Sequence, residues 1–201
     1  VAFLDDDDEW MPDRLNVQVP LLEGNDQVGL IFANMDAHDD TGRFLGHWFD
    51  YHAPPPLLSV ETLFLYNFIP VPTVVLRRSV LDDVGWFDPS LDSCEDYDLW
   101  LRVIAAHRVH KCSDRLARYR QSATGMSRDG RRMLSGLTRV KELALERNPG
   151  IRRLPAKLLD EYCFQLFDRL EQVLIKQGEA DQAAAVAQRQ LRLRKLCAVP
   201  R

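Results

Sequence analysis

The chain begins with the stretch Val1-Ala2-Phe3-Leu4-Asp5-Asp6-Asp7-Asp8, in which an apolar run leads directly into four carboxylates. This order is typical of a buried parallel strand that delivers polar residues at its carboxyl end. Ligands of open α/β sheets bind just outside the carboxyl ends of such strands. The stretch therefore predicts an α/β fold in which the Asp5–Asp8 run faces a ligand.

The chemistry of the Asp5–Asp8 run favours a bound cation. Neighbouring carboxylates repel one another, and keeping several of them ionised at a partly buried strand end is costly. A hard divalent ion such as Mg²⁺ or Mn²⁺ would remove that cost and would share its coordination shell with phosphate oxygens. A solvated acidic turn that caps the helix predicted after Pro12 explains the same four residues equally well. The residues of the run leave both interpretations open.

Two other metal-dependent readings of the run fail on particular residues. A calcium-binding EF-hand loop needs glycine at its sixth position and glutamate at its twelfth, and counting from Asp5 these places hold Trp10 and Asn16. A phosphatase-type Asp-x-Asp signature usually continues with Thr or Val, whereas this chain has Asp8. A metal-dependent phosphohydrolase therefore ranks well below the other hypotheses.

A second acidic segment begins the most regular helix that the pattern predicts, Glu95–Ala106. The apolar face of this helix is formed by residues at helical spacing, namely Tyr97, Trp100, Leu101 and Ile104. At its start, Ser93 and Asp96 have the spacing of a capping box. Alternatively, Asp96 is a general base that accepts the proton of an attacking hydroxyl. Closeness of Asp96 to the Asp5–Asp8 run would distinguish the two.

The remaining pattern divides the chain near residue 130. Before it, apolar runs predict strands at 28–34, 72–77, 109–112 and 116–120, and an aromatic stretch at 44–56 predicts an irregular loop. After it, 3.6-residue periodicity predicts only helices, at about 133–144, 155–174 and 180–196. We therefore expect a mixed α/β part over residues 1–130 and a helical tail over residues 131–201, with a helical hairpin as one possible form of the tail.

Composition narrows the classes of partner and the compartment. The formal net charge of −4 argues against nucleic-acid binding, which usually has a basic footprint. The four cysteines are far apart, which indicates reduced thiols and a cytoplasmic location. No apolar stretch approaches the roughly 18 residues of a membrane span. Basic residues of the tail permit peripheral contact with an anionic membrane, although a solvated helix face is the commoner reason for such a group: Arg189, Arg192, Arg194 and Lys195.

Four blocks of the chain, in order and at matching spacing, resemble glycosyltransferase family two. The segment from Phe3 to Leu15 resembles the Leu-Asp-x-Asp-Asp-x-Trp stretch that holds the family's Asp-x-Asp motif. Val84-Gly85-Trp86-Phe87-Asp88 is similar to its Val-Gly-Gly-Phe-Asp, and Glu95–Arg102 is similar to its Glu-Asp-x-Asp-Leu-x-x-Arg helix. Tyr119-Arg120 with Met126-Ser127-Arg128 matches the end of its catalytic domain. The family comprises inverting enzymes of the GT-A fold.

The resemblance implies a role for each acidic residue. Asp5 would contact the nucleoside, Asp7 would ligate Mn²⁺ or Mg²⁺, and Asp8 would support the site or touch the sugar. Asp96 would be the catalytic base, with Glu95 beside it contacting acceptor or donor. The implied substrates are a nucleotide-sugar donor and a glycan or lipid-linked acceptor, such as bacterial surface-polysaccharide synthesis uses. Aromatic residues of the 44–56 stretch would then be candidates for the acceptor cleft: His47, Trp48, Tyr51 and His52.

Two departures from the family pattern support an alternative function. Ser122 stands where the family often has a histidine that can ligate the metal. The resemblance also implies that this chain starts after the strands that bind the nucleotide base, so we expect a partial GT-A (Rossmann-like) mixed sheet that is inactive alone. The alternative is a degenerate, non-catalytic sugar-nucleotide-binding or scaffolding protein whose tail mediates assembly. Retention of Asp7 and Asp96 favours the enzyme.

Overall fold

The computed structural model describes residues 1–122, 125 and 128–198. Within these residues the chain forms a five-stranded mixed sheet. The strands are β1 (Glu9–Trp10), β2 (Val28–Asp39), β3 (Phe44–His47), β4 (Val75–Leu76) and β5 (Arg108–Gln121). The helices of the first part are α1 (Arg14–Glu23), α2 (Trp48–Tyr51), α3 (Val60–Leu65), α4 (Arg78–Val84) and α5 (Glu95–Ala106), and a 3₁₀ turn covers Val71–Thr73.

The two long strands, β2 and β5, form the parallel centre of the sheet. β3 and β4 both pair antiparallel with the far edge of β2, at its two ends, and β1 pairs antiparallel with β5. Because β1 runs against β5, the residues that precede β1 lie at the edge where β2 and β5 have their carboxyl ends. This topology brings the Asp5–Asp8 run to the edge at which open α/β sheets bind ligands.

Helices cover both faces of the sheet. Alternate residues of β2 point to opposite sides: Leu30 and Phe32 belong to the large apolar core, and Ile31 and Ala33 to a smaller cluster. The smaller cluster packs against α1 through Leu22. The large core continues through α3, α4 and α5 into the helices of the tail. The predicted α/β fold is thereby confirmed.

The tail is helical over its described residues. It comprises α6 (Gly130–Arg147), a 3₁₀ turn at Ile151–Arg153, α7 (Ala156–Leu159), a π-helical turn at Asp160–Phe164, α8 (Gln165–Lys176) and α9 (Ala180–Ala198). One apolar cluster crosses residue 130 without a break and includes Val140, Phe167 and Leu193. The change at residue 130 is thus a change of secondary structure inside a common core, and the division into two domains stays a prediction.

The prediction of a buried parallel strand at Val1–Leu4 is wrong. This segment forms one antiparallel bridge, between Ala2 and Val75, and its Val1 and Leu4 side chains are exposed. The segment pairs with β4, which is only two residues long and runs antiparallel to β2. It therefore has no long parallel neighbour with which to form a buried strand. The Asp5–Asp8 run therefore reaches the sheet edge from the start of an antiparallel strand, β1, rather than from the end of a parallel one.

Three other element predictions need correction. The irregular loop at 44–56 contains β3 and α2, because β2 runs five residues beyond its predicted end at Asn34 and turns back in a hairpin. The strands predicted at 109–112 and 116–120 are one strand, β5, whose pairing with β2 is interrupted by register shifts. The strand predicted at 72–77 is a 3₁₀ turn followed by β4. Met126 and Ser127 of the family resemblance lie outside the described residues.

Candidate functional site

Two acidic segments that are about 90 residues apart in sequence share one cavity of about 680 Å³. Asp5, Asp6 and Asp7 line one side of it, and Glu95 and Asp96 line another. Polar and aromatic residues of the wall include Trp48, Asn67, Tyr119, Arg120 and Ser122. An adjoining pocket of about 220 Å³ shares Asp7, Tyr119 and Arg120 with it. The structure thus brings together the acidic segments that the sequence singled out.

The Asp5–Asp8 run is a turn held in place by its two ends. On the amino-terminal side, the Trp10 indole Nε1 donates a hydrogen bond to the Phe3 carbonyl oxygen (3.1 Å). Within the turn, the Asp8 N–H donates to the Asp5 carbonyl oxygen (3.2 Å). The side chains of Asp5, Asp6 and Asp7 are exposed at the cavity. The run does not cap α1, since the N-cap residue is Asp13 and its side chain makes no capping hydrogen bond.

Asp8 differs from its three neighbours because its side chain is buried behind the cavity, 8% exposed. Its Oδ1 accepts a hydrogen bond from the backbone N–H of Arg120 (3.0 Å) in β5, while its Oδ2 is buried without a hydrogen-bond partner. Burial raises the pKa of Asp8 to about 6, against the lowering effect of the Arg120 N–H. Asp8 is therefore placed to support the turn from behind.

The two acidic segments interact electrostatically. Burial raises the pKa of Asp5, and the charges of Asp7, Glu95 and Asp6 raise it further. Burial likewise raises the pKa of Asp96 to about 6; the backbone N–H of Tyr97 opposes this rise, and the charges of Glu95 and Asp5 add to it. Each segment makes ionisation of the other less favourable, which is the situation that a cation relieves.

The start of α5 contradicts the capping-box interpretation of Ser93 and Asp96. The N-cap residue is Cys94, which makes no side-chain capping hydrogen bond and has a left-handed backbone (φ 61°, ψ 21°). Ser93 Oγ donates instead to the carbonyl oxygen of Arg132 in α6 (2.9 Å). The capping box is therefore absent, although the Asp96 carboxylate still interacts with the backbone N–H of Tyr97 in the first turn of α5. The side-chain partner of Asp96 is Asn67, whose Nδ2 lies 3.5 Å from Oδ2.

Of the four aromatic candidates for the acceptor cleft, only Trp48 lines the cavity. Its ring stacks on that of His52 (centroids 4.0 Å apart, planes at 25°) and meets Tyr119 edge-on (5.9 Å). Its indole Nε1 is buried without a hydrogen-bond partner. His47 pairs with Asp36 (2.8 Å), and Tyr51 is 70% exposed.

The chain was compared with known protein families and with curated proteins, and no protein-family model matches it. An uncharacterized glycosyltransferase of Haemophilus influenzae is 27% identical over 108 residues, covering 52% of this chain and 35% of that protein. The UDP-Glc:alpha-D-GlcNAc-diphosphoundecaprenol beta-1,3-glucosyltransferase WfaP of Escherichia coli is 29% identical over 108 residues, covering 52% of this chain and 38% of that protein. A second Escherichia coli protein with the same activity in its name, WfgD, is 26% identical over 132 residues, covering 63% of this chain and 47% of that protein.

These similarities support a glycosyltransferase. They extend over about half of this chain, and the chain spans between about a third and a half of the length of those relatives.

The carboxylates at the cavity can be compared with the ligand sets that divalent metals use in proteins. Among residues 1–122, 125 and 128–198, no group of three or more His, Cys, Asp and Glu side chains is arranged to hold a metal ion. Mg²⁺ and similar ions are commonly bound through one or two carboxylates, with substrate phosphates and water completing the shell. The exposed, mutually repelling carboxylates at the cavity fit a site in which one or two carboxylates bind the ion and substrate phosphates and water complete its shell. Asp7 is the predicted ligand.

The basic group of the tail takes part in ion pairs within the molecule. Arg189 and Arg192 both pair with the buried Glu142 (2.6 and 2.5 Å), and Arg194 pairs with Asp160 (2.9 Å). Three of the four basic residues therefore have acidic partners within the molecule, and their presence needs no membrane to explain it. In the part of the chain that the structure describes, no helix is both long enough and apolar enough to cross a bilayer.

Sequence reasoning missed several residues of the cavity wall. Asn67 follows α3 in a segment without periodicity, so no pattern marks it. Met133 and Leu137 belong to α6 and line the same cavity, although the tail carries no motif of the resemblance. Their spacing on one helix face was visible, but such a stripe is more often part of a core.

Proposed function

We propose that the cavity is the active site of an inverting glycosyltransferase that takes its sugar from a nucleoside diphosphate donor. One observation carries the proposal: the exposed carboxylates Asp5–Asp7 and the helix-start carboxylates Glu95 and Asp96 face the same cavity. The similarity to enzymes named glycosyltransferases supports the same reaction class. The proposal concerns the natural polypeptide that contains these 201 residues.

In the proposed reaction, Asp96 accepts the proton of the acceptor hydroxyl. The hydroxyl oxygen attacks the anomeric carbon of the donor sugar from the face opposite the nucleoside diphosphate, which leaves with the bonding electron pair. A single displacement of this kind inverts the anomeric centre and needs no covalent sugar–enzyme intermediate, unlike the retaining route. The pKa of Asp96, raised to about 6, still lies below neutral pH, so the carboxylate stays mostly ionised there, and the rise makes it a stronger base than an exposed aspartate.

The acidic run supplies the other half of the proposed site. Asp7 would hold Mn²⁺ or Mg²⁺, which would supply positive charge beside the departing diphosphate. Asp5 would contact the nucleoside, and Asp8 would fix the turn through Arg120. The names of two relatives include a diphosphoundecaprenol-linked sugar as acceptor. As part of the proposal, we infer that this protein also uses a lipid-linked acceptor.

The test is turnover of nucleotide sugars by the natural polypeptide, measured as nucleoside diphosphate release with Mn²⁺ and with EDTA. We expect Mn²⁺-dependent release for one donor, and loss of about 100-fold or more in Asp7→Asn and Asp96→Asn. Asp13→Asn is the matched control, because Asp13 is an acid of the same segment whose side chain makes no capping hydrogen bond. Unchanged turnover in both site variants would overturn the assignment.

The non-catalytic alternative has one observation in its favour. Ser122, which replaces the family's histidine, lines the cavity, and a hydroxyl is a weaker ligand for Mn²⁺ than an imidazole. Binding of a nucleotide sugar without release of nucleoside diphosphate, across a panel of donors and acceptors, would favour this alternative.

A further inference from the structure

The turn that leads into Glu95 and Asp96 has an unfavourable backbone. Cys94 is the only non-glycine residue with positive φ in the described chain. A side chain in the left-handed region meets the following carbonyl oxygen, so such residues persist only where their surroundings hold them. Cys94 itself provides no side-chain cap for α5, and the residues just before it are held by contacts with another element.

Those contacts come from α6, the first helix of the tail. Ser93 Oγ donates to the Arg132 carbonyl oxygen (2.9 Å). In return, the Arg132 guanidinium donates to the Asp92 carbonyl oxygen through Nε (2.9 Å) and through Nη2. Two consecutive residues before Cys94 are thus fastened to one residue of α6.

Gly136, one turn further along α6, touches the same place. A Cβ atom at Gly136 would lie 2.2 Å from Ser93 Oγ and 2.6 Å from the Ser93 carbonyl oxygen, whereas real Cβ atoms essentially never come closer than 3.0 Å. Glycine destabilises a helix interior relative to alanine, so it is kept here for this close approach. In the same helix, a Cβ at Gly130 would meet nothing within 4 Å.

The same face of α6 also borders the cavity. Met133 and Leu137, which are four residues apart and therefore neighbours on the helix surface, are among its lining residues, and they lie on either side of Gly136 in sequence. We propose that α6 is a wall of the active site and that Gly136 is a positioning residue, whose close approach to Ser93 sets where the Glu95 and Asp96 carboxylates stand. For its effect on catalysis this inference rests on the proposed function, while the packing it describes does not.

The kinetic test is Gly136→Ala in the natural polypeptide, with Gly130→Ala as the matched control. A displacement of about 1 Å at a catalytic group lowers rate by about 100-fold, so we expect kcat of Gly136→Ala to fall at least tenfold, an order-of-magnitude estimate on the same basis. KM for the donor should change less than about threefold, because Asp5–Asp7 lie across the cavity. Gly130→Ala, which makes the same chemical change in open space, should keep wild-type kcat. A Gly136→Ala variant with kcat within about twofold of wild type would overturn the inference.

A second measurement reads the turn without any reaction. The Cys94 thiol is buried, which raises its pKa to about 12 and makes it unreactive. We expect iodoacetamide to label Cys94 at least about fivefold faster in Gly136→Ala, following its gain of exposure, with buried Cys163 unchanged. Faster Cys94 labelling with unchanged kcat would overturn the positioning role. Absence of any turnover in the wild-type protein would instead sink the proposed function, and the labelling would still test the packing.

If Cys163 is also labelled in Gly136→Ala, the substitution has unfolded the tail, and Arg132→Met decides the question. This change removes the two donors to the Asp92 carbonyl from an exposed side chain without adding an atom at Ser93. A lower kcat with unchanged donor KM and unchanged Tm supports the inference. A wild-type kcat overturns it.

Discussion

The two acidic segments of the cavity are held in opposite ways. The Asp5–Asp8 run is a short turn whose first three side chains are exposed, while Asp8 accepts a hydrogen bond from the Arg120 N–H of β5. The Glu95–Asp96 segment starts a twelve-residue helix whose next residues, Tyr97 and Asp98, are 2% exposed. The exposed side chains of one segment can rotate to meet a ligand, whereas the other segment is fixed at the start of a buried helix.

The fixed segment is anchored on both sides by buried polar contacts. The Tyr97 hydroxyl lies 2.7 Å from the Leu63 carbonyl oxygen and accepts a hydrogen bond from Lys141 Nζ (3.0 Å). The Asp98 carboxylate accepts from Arg102 (2.8 Å) and from Arg147 (2.7 Å). The difference suits the proposed division of labour, because a general base must be prepositioned whereas a carboxylate that meets a cation and a diphosphate gains from adjusting to them.

The largest expected effect falls on the fixed side. Asp96→Asn removes the proposed base and leaves the shape of the side chain, so kcat should fall by about 1000-fold, within the usual range for general-base catalysis. Tm should be no lower than wild type, because the raised pKa of Asp96 means that its charged form destabilises the folded protein at neutral pH. Asp92→Asn is the matched control, since Asp92 is an exposed acid of the same turn that contributes its backbone carbonyl. Steady-state kinetics of both variants decide the matter. If Asp96→Asn keeps the wild-type kcat, Asp96 is not the catalytic base.

The anchoring of α5 should make stability depend on pH through Lys141. Burial lowers the pKa of Lys141 from 10.5 to about 7. Below pH 7 both folded and unfolded states hold the proton, and between about pH 7 and 10.5 only the unfolded state does, so stability rises with pH there. Relative to Lys141→Met, the free energy of unfolding should rise by about 2 kcal/mol from pH 7 to pH 9. Urea unfolding at the two pH values measures this.

Lys157→Met gives the comparison for that measurement, because Lys157 is exposed on α7. Its unfolding free energy relative to wild type should not change between the two pH values. Parallel behaviour of the Lys141 and Lys157 variants would mean that Lys141 stays charged in the folded protein.

Removing the acceptor of the two arginines should cost a comparable free energy of unfolding. Asp98→Asn leaves Arg102 and Arg147 around a neutral amide, and breaking a buried pair in this way costs about 3–5 kcal/mol. We expect the low end, about 3 kcal/mol of unfolding free energy, because the Arg147 side chain is 38% exposed. Asp83→Asn, which disrupts a pair between the exposed Asp83 and the partly buried His107, should cost less than about 1 kcal/mol. Equal losses of unfolding free energy in the two variants would show that the contacts of Asp98 do not anchor α5.

The smallest effect is expected at the aromatic wall. Trp48→Ala should raise KM for the acceptor about fivefold, since aromatic contacts contribute on the order of 1 kcal/mol. Tyr51→Ala, which alters an exposed ring of the same helix, should leave the acceptor KM within about twofold of wild type, well under that contribution. Acceptor titrations of both variants test this. A larger effect from Tyr51 would place the acceptor on the outer side of α2.

The sequence predicted the regular helices better than the pairing of the strands or the backbone at the start of α5. Helix α5 was predicted with its observed bounds, because its apolar spacing is a local property that packing reinforces. The strand at Val1–Leu4 failed because pairing partners are set by distant residues, here the two-residue β4. The left-handed Cys94 and the role of Gly136 were invisible, since both follow from the approach of α6 across about 40 residues of chain.

That the Asp5–Asp8 run lies at the same cavity as Glu95 and Asp96 was predictable only as a hypothesis. Each segment alone fitted a helix cap as well as a binding site. The choice needed the antiparallel pairing of β1 with β5, which carries the run to the carboxyl edge of the sheet. Local propensity cannot supply such a long-range pairing, because it is a property of the whole sheet.

The claim that the two segments form one site can be tested most directly with Mn²⁺ as a paramagnetic probe. In the isotope-labelled natural polypeptide with a nucleoside diphosphate, Mn²⁺ should broaden the amide signals of residues 5–8 and of residues 95–97. The signals of residues 107–110, at the opposite end of β5, should stay sharp, and Asp7→Asn should abolish the broadening. Broadening at residues 5–8 that spares residues 95–97, or that survives Asp7→Asn, would contradict a shared site.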